Sequence, residues 1–209
     1  MYFQNSMHHQ KLNIRHFLKS RLLLFSVGLL CACAVGAQAV TPEQLNRSAL
    51  FEALANARSE ATAREVEDKI WRFWLAQSPT PEVRSLMDKG MERREAYDYE
   101  AAEAHFDQAV ALAPEYAEAL NQRAFIRFLR ENYAGSLSDL EKTVELEPQH
   151  FGALAGMYLV LLRQDRREVA LRQLQTAVAL HPWLSERHGL PEAMWPDNYR
   201  LIHSKGQDI

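Results

Sequence analysis

The chain has 209 residues, 24 of them basic and 27 acidic, for a formal net charge of −3, with 47% hydrophobic and 10% aromatic side chains. A weakly acidic balance argues against nucleic acid or an anionic membrane surface as the main partner, since both are held by clustered Lys and Arg. The length suits one folded domain.

The first 39 residues contain no acidic side chain and carry Lys11, Arg15, Lys19 and Arg21. An apolar run from Leu22 to Gly36 follows, and then Ala37-Gln38-Ala39. A basic start, a short apolar stretch and an A-x-A site make the pattern of a secretory signal peptide cleaved after Ala39. That reading implies a periplasmic or secreted bacterial protein beginning at Val40. The run falls short of the roughly 18–20 residues that cross a bilayer. Both cysteines lie inside it, and Leu30-Cys31-Ala32-Cys33 is similar to a bacterial lipobox, so a lipid anchor at Cys33 stands as the alternative to simple cleavage. Cleavage after Ala39 removes both thiols, and with them disulfides and thiolate chemistry. It also removes the four basic leader residues, leaving 20 basic against 27 acidic, a net charge of −7.

Thr41-Pro42-Glu43-Gln44 has the form of a capping box and opens an N-terminal helical hairpin over 40–80. Leu50, Phe51 and Leu54 mark one buried side; Val66, Ile70, Phe73 and Trp74 form the stripe of a second helix starting near Ser59. Ser78-Pro79-Thr80-Pro81 breaks the chain. The hairpin is expected to cap the unit that follows it, with Trp71 and Trp74 serving as core rather than as a ligand box.

From 83 to 182 the sequence repeats. Pro114, Pro148 and Pro182 stand 34 residues apart, with Ala102, Ser136 and Ala170 at one register and Phe106, Leu140 and Leu174 at another. Ala109, Thr143 and Ala177, Tyr99 and Tyr133, and Gly90 and Ala124 also align. Small residues let two antiparallel helices approach closely, bulky ones fill the space beside the contact, and proline ends each unit.

These positions resemble the tetratricopeptide repeat. The resemblance implies an all-α helical-hairpin solenoid with three units, 83–116, 117–150 and 151–182, and a C-terminal cap and tail over 183–209. Helices are expected near 83–96 and 99–112, 117–130 and 133–146, and 151–164 and 167–180. Asp98, Asn132 and Asp165 are the expected N-caps of the second helices. Tyr158 occupies the close-approach register, so the third hairpin should be splayed or locally repacked. Trp183, Met194, Trp195 and Leu201 should fold back over the last hairpin, and the chain from Gly206 onward should fray.

No catalytic constellation is apparent. His105, His150, His181, His188 and His203 show no i, i+4 pair to chelate a metal, and there is no Gly-rich phosphate loop or G-x-S-x-G elbow. The expectation is a protein with no enzymatic activity and no cofactor. In tetratricopeptide arrays the first helices line a groove that takes segments of other proteins. The resemblance places Arg84, Met87, Met91 and Arg94, then Glu118, Asn121, Phe125 and Phe128, then Gly152, Ala155, Leu159 and Leu162 on that wall. Phe125, Phe128, Leu159 and Leu162 read either as groove or as inter-repeat core, or as covered by the C-terminal tail; of the two phenylalanines, Phe125 is assigned to the groove and Phe128 partly to the seam with the third unit. The family's clamp for acidic chaperone tails is not carried over, because Met87, Met91, Gln122, Gly152 and Gly156 stand where its Lys, Asn and Arg are needed. Arg84, Arg94 and Arg123 read as solvated. The implied role is a scaffold for a protein or peptide partner in the cell envelope. A chaperone-like holder of unfolded clients and a self-associating module remain as alternatives.

Overall fold

The computed structural model describes residues 47–203; the expectations for the leader, Cys31, Cys33, the start at Val40, the Thr41 cap and the chain from Gly206 lie outside the described residues. The described chain is all-helical. Helices α1 (Arg47–Ala55) and α2 (Glu60–Ala76) form the N-terminal hairpin. The repeat hairpins are α3 (Pro81–Glu95) with α4 (Tyr99–Leu112), α5 (Ala117–Leu129) with α6 (Tyr133–Leu146), and α7 (Phe151–Arg163) with α8 (Arg167–Leu180). Two short 3-10 turns, Ser185–Gly189 and Glu192–Met194, lead to α9 (Asp197–His203).

Local chemistry explains the limits of these helices. Ser59 and Thr80 cap α2 and α3, accepting from the amides of Thr62 and Val83 at 3.2 Å each, and Pro81 fits the first turn of α3. This cap starts α3 two residues earlier than the repeat register implies. Each repeat hairpin turns through one left-handed residue: Tyr97 (φ 62°), Glu131 (62°) and Asp165 (58°). The next residue is the N-cap. Asp98 accepts from Ala101 N–H at 3.2 Å and Asn132 from Gly135 N–H at 3.0 Å. Here one expectation fails: Asp165 aligns with Tyr97 and Glu131, and the cap of α8 falls on Arg166, which offers no side-chain acceptor.

The close approaches are real. A Cβ on Gly90 would lie 2.5 Å from the ring of Phe106, and Ser136 donates to the carbonyl of Ala124 at 2.8 Å, tying α6 to α5. In the third hairpin, of the two expected outcomes, local repacking occurs. Helices α7 and α8 pack as extensively as the other pairs. Tyr158 turns its ring toward the C-terminal segment, where Gly189 makes room; a Cβ there would sit 2.3 Å from the phenol oxygen.

The N-terminal hairpin is placed differently from the expectation. Instead of capping the first repeat, it shares one core with the third repeat and the C-terminal segment, joining Leu54, Ile70 and Trp74 to Phe151, Leu174 and Leu184. Trp183 donates to the carbonyl of Ala57 at 2.8 Å, so the segment after the last repeat grips the hairpin before the first. The reason is steric: Gly152 and Ala155 leave a shallow wall on α7 that admits a tryptophan-bearing helix, which a wall of larger side chains would refuse. The end of α2 meets the first repeat, where the phenol of Tyr116 donates to the carbonyls of Trp74 and Leu75 at 3.2 Å each. Beyond Pro182, Leu184, Leu190 and Tyr199 are buried, whereas Leu201 is 66% exposed and does not fold onto the hairpin as expected.

Candidate partner-binding face

Helices α3, α5 and α7 present their inner faces to one side, and that side has two unlike halves. Toward the helix starts it is filled. Trp71 lies over Gly152, whose added Cβ would come within 2.6 Å of the indole. Trp74 stacks on His150 with ring centroids 3.9 Å apart and planes 5° from parallel. Beneath this stack runs a buried polar chain. His150 accepts from Ala153 N–H through Nδ1 at 3.1 Å, which leaves Nε2 as the donor to Glu118 at 3.0 Å. Glu118 also accepts from Gln122 at 2.5 Å, and Gln122 accepts from Arg94 at 2.5 Å. Every link pairs a donor with an acceptor, which is why ionisable groups persist here in the dry interior. Burial lowers the pKa of Arg94 to about 10, with Glu95 and Glu118 opposing the shift.

Several residues assigned to the groove therefore belong to the interior instead, Arg94 and Phe125 among them. Met87 is wholly buried in the first-repeat core with Val83, Ala102 and Phe106. Asn121 is buried, its amide 3.4 Å from Glu118. Gly152, Ala155 and Glu118 are likewise closed off, and Arg84 is half-buried. The expectation of solvated arginines also fails at two places. Arg94 is buried, and Arg123 grips Asp139 through two bonds of 2.9 and 2.7 Å on the outer side of the hairpins. Arg127 joins that outer cluster through Asp139 and Glu103. Hydrophobic periodicity carries no signal for such pairing, because it joins polar residues on different helices, Asp139 in the same hairpin and Glu103 in the one before.

Toward the ends of the same helices the inner face is apolar and partly open. Met91, Phe128, Leu159 and Leu162 are half-buried, while Phe125 is 5% exposed. Phe128 packs against the core shared by the second and third repeats, with Tyr133 beside it at 5.8 Å. Arginines bracket the two phenylalanines: the guanidinium of Arg94 is 5.8 Å from the Phe125 ring and that of Arg163 is 5.9 Å from the Phe128 ring. Arg163 was absent from the sequence-based set. Its signal was available, since it follows Leu162 by one place at the end of α7. Among the described residues, no cluster of His, Cys, Asp or Glu is arranged to hold a metal ion, and no helix is long and apolar enough to cross a membrane.

No family model matches the chain. It is similar to a TPR repeat-containing protein of Rhizobium etli, 33% identical over 136 residues that cover 64% of this chain and 65% of the relative. It is also similar to tetratricopeptide repeat protein 36 of Homo sapiens, 39% identical over 126 residues covering 58% of this chain and 64% of the relative. The chain thus spans slightly less than two thirds of the length of these curated relatives. Among solved structures, the first TPR of Spaghetti (RPAP3) bound to the HSP90 peptide SRMEEVD superposes with a TM-score of 0.51 at 17% identity, covering 61% of this chain and 94% of that one. The likeness shows the fold, a tetratricopeptide solenoid, and the names of the relatives support the same placement.

Proposed function

We propose that this protein is an exported, non-catalytic scaffold whose open inner half-face binds a segment of a protein partner in the bacterial cell envelope. The observation that carries the reading is the strip of Met91, Phe128, Leu159 and Leu162, which stays partly exposed on a face whose other half the chain has filled itself. An apolar strip beside a rigid wall is where a partner's anchor residues gain most from leaving water. The fold supports a binding role, and one structural neighbour is bound to a peptide. Export is supported by the leader pattern of residues 1–39.

A photo-crosslinking amino acid at Leu159, compared with one at Lys142 on the outer side, tests the scaffold reading in intact cells. Partner adducts from position 159 alone are the expected outcome; adducts from both positions, or from neither, sink it. Mass spectrometry of the N-terminus of the cell-derived protein tests export. A chain starting at Val40 is expected, a lipid-modified Cys33 establishes the anchor instead, and an uncleaved cytoplasmic chain overturns both.

A further inference from the structure

The charges at the open strip are not equivalent. Arg94 is buried, bonded to Gln122 and followed on its own helix by Glu95, which opposes the loss of its proton. Arg127 and Arg130 turn outward to Glu103. Arg163 differs from all of these: it is exposed, makes no ion pair among the described residues and lies over the ring of Phe128. A guanidinium resting on an aromatic face loses part of its hydration and much of its rotamer freedom while its N–H fork stays available at the ring edge. A carboxylate arriving there meets a pre-positioned donor, a better situation than an ordinary surface pair.

We propose that the partner segment presents an acidic side chain to Arg163 and, within one helical turn, an apolar side chain to Phe128 and Leu162. The inference rests on the reading of the strip as a partner-binding face. Charge complementarity favours an acidic flank, because the strip itself is uncharged and the cation at its third-repeat end is unneutralised. The same geometry gives the bound segment a direction along the strip, with its acid toward the end of α7.

The test is selection of a random dodecapeptide phage library on the full chain, with synthetic copies of the enriched peptides measured by fluorescence anisotropy. Enrichment of Asp or Glu close to a Leu, Phe or Met anchor is expected. Arg163→Glu should weaken those peptides about tenfold, the size of one well-placed charge reversal. Arg172→Glu, an exposed change on α8, should leave them unaltered. Enriched peptides that lack acids, or that bind Arg163→Glu equally well, overturn the acidic-flank assignment while the binding face survives. If Leu159→Ser weakens no enriched peptide, the face itself is misassigned and the inference falls with it.

Discussion

At the starts of α5 and α7 the inner face disappears beneath α2, whereas toward their ends the same helices keep Phe128, Leu159 and Leu162 partly exposed. The two halves differ in what the repeat register supplies. In the closed half, the third repeat offers Gly152 and Ala155, and the second offers Glu118 and Asn121, a low wall with polar groups beneath it. In the open half, positions one to two turns further along offer Phe128, Leu159 and Leu162, partly exposed above a buried Phe125. Side-chain volume thus helps partition one groove: small residues such as Gly152 and Ala155 admit a permanent internal occupant, and larger ones leave an apolar strip.

The sharpest way to break this contrast is to remove an anchor from each half. Trp74→Ala should cost about 3–5 kcal/mol in urea unfolding, because a fully buried indole stacked on His150 leaves a cavity that cannot collapse. A loss near zero would mean that the hairpin does not occupy the face in solution. Next in size is Gly152→Ala. The new methyl meets the Trp71 indole, and overpacking of this kind costs about 1–3 kcal/mol. Pairing it with Trp71→Leu should recover most of the loss; no recovery would point to a conformational origin instead. In the open half, Leu159→Ser should cost no more than about 1 kcal/mol of stability, since the side chain is only half-buried. The same change should weaken capture of a partner, and a large drop in stability would move Leu159 into the core.

The smallest expected effect concerns pH. Glu186 follows Leu184 in the segment that closes the N-terminal hairpin, and its Oε2 is buried without a hydrogen-bond partner among the described residues. Burial pushes its carboxyl up from 4.5 to about 7. A raised acid pKa means that the folded state holds the proton more tightly than the unfolded chain. This stabilising contribution is therefore complete below about 4.5 and is lost as pH rises through about 7. Glu186→Gln should flatten that decline between pH 5 and 8 and raise the melting temperature at pH 8. An unchanged pH profile would remove Glu186 from the account.

The solenoid is legible in the one-dimensional pattern. Pro114, Pro148 and Pro182, the small residues at Ala102, Ser136 and Ala170, and the caps at Asp98 and Asn132 mark where helices must stop, touch and begin. Each of these acts through neighbours a few residues away or through the partner helix of its own hairpin, so a periodic sequence displays them. The misplaced cap at Asp165 came from the same logic applied one residue out of register.

Where the N-terminal hairpin goes was decided only in three dimensions. The stripe of Val66, Ile70 and Trp74 announces that α2 must bury a face, but not which face receives it. Choosing between the first and third repeats depends on Gly152 making room for Trp71, on His150 lying flat under Trp74, and on Trp183 reaching the carbonyl of Ala57 across 126 positions of sequence. Met87 is buried within its own hairpin, against Ala102 and Phe106, whereas the placement of Arg163 over Phe128 joins two repeats. Hydrophobic burial is non-directional, so amphipathic periodicity states how much surface a helix must hide, and only shape complementarity between distant elements selects the place.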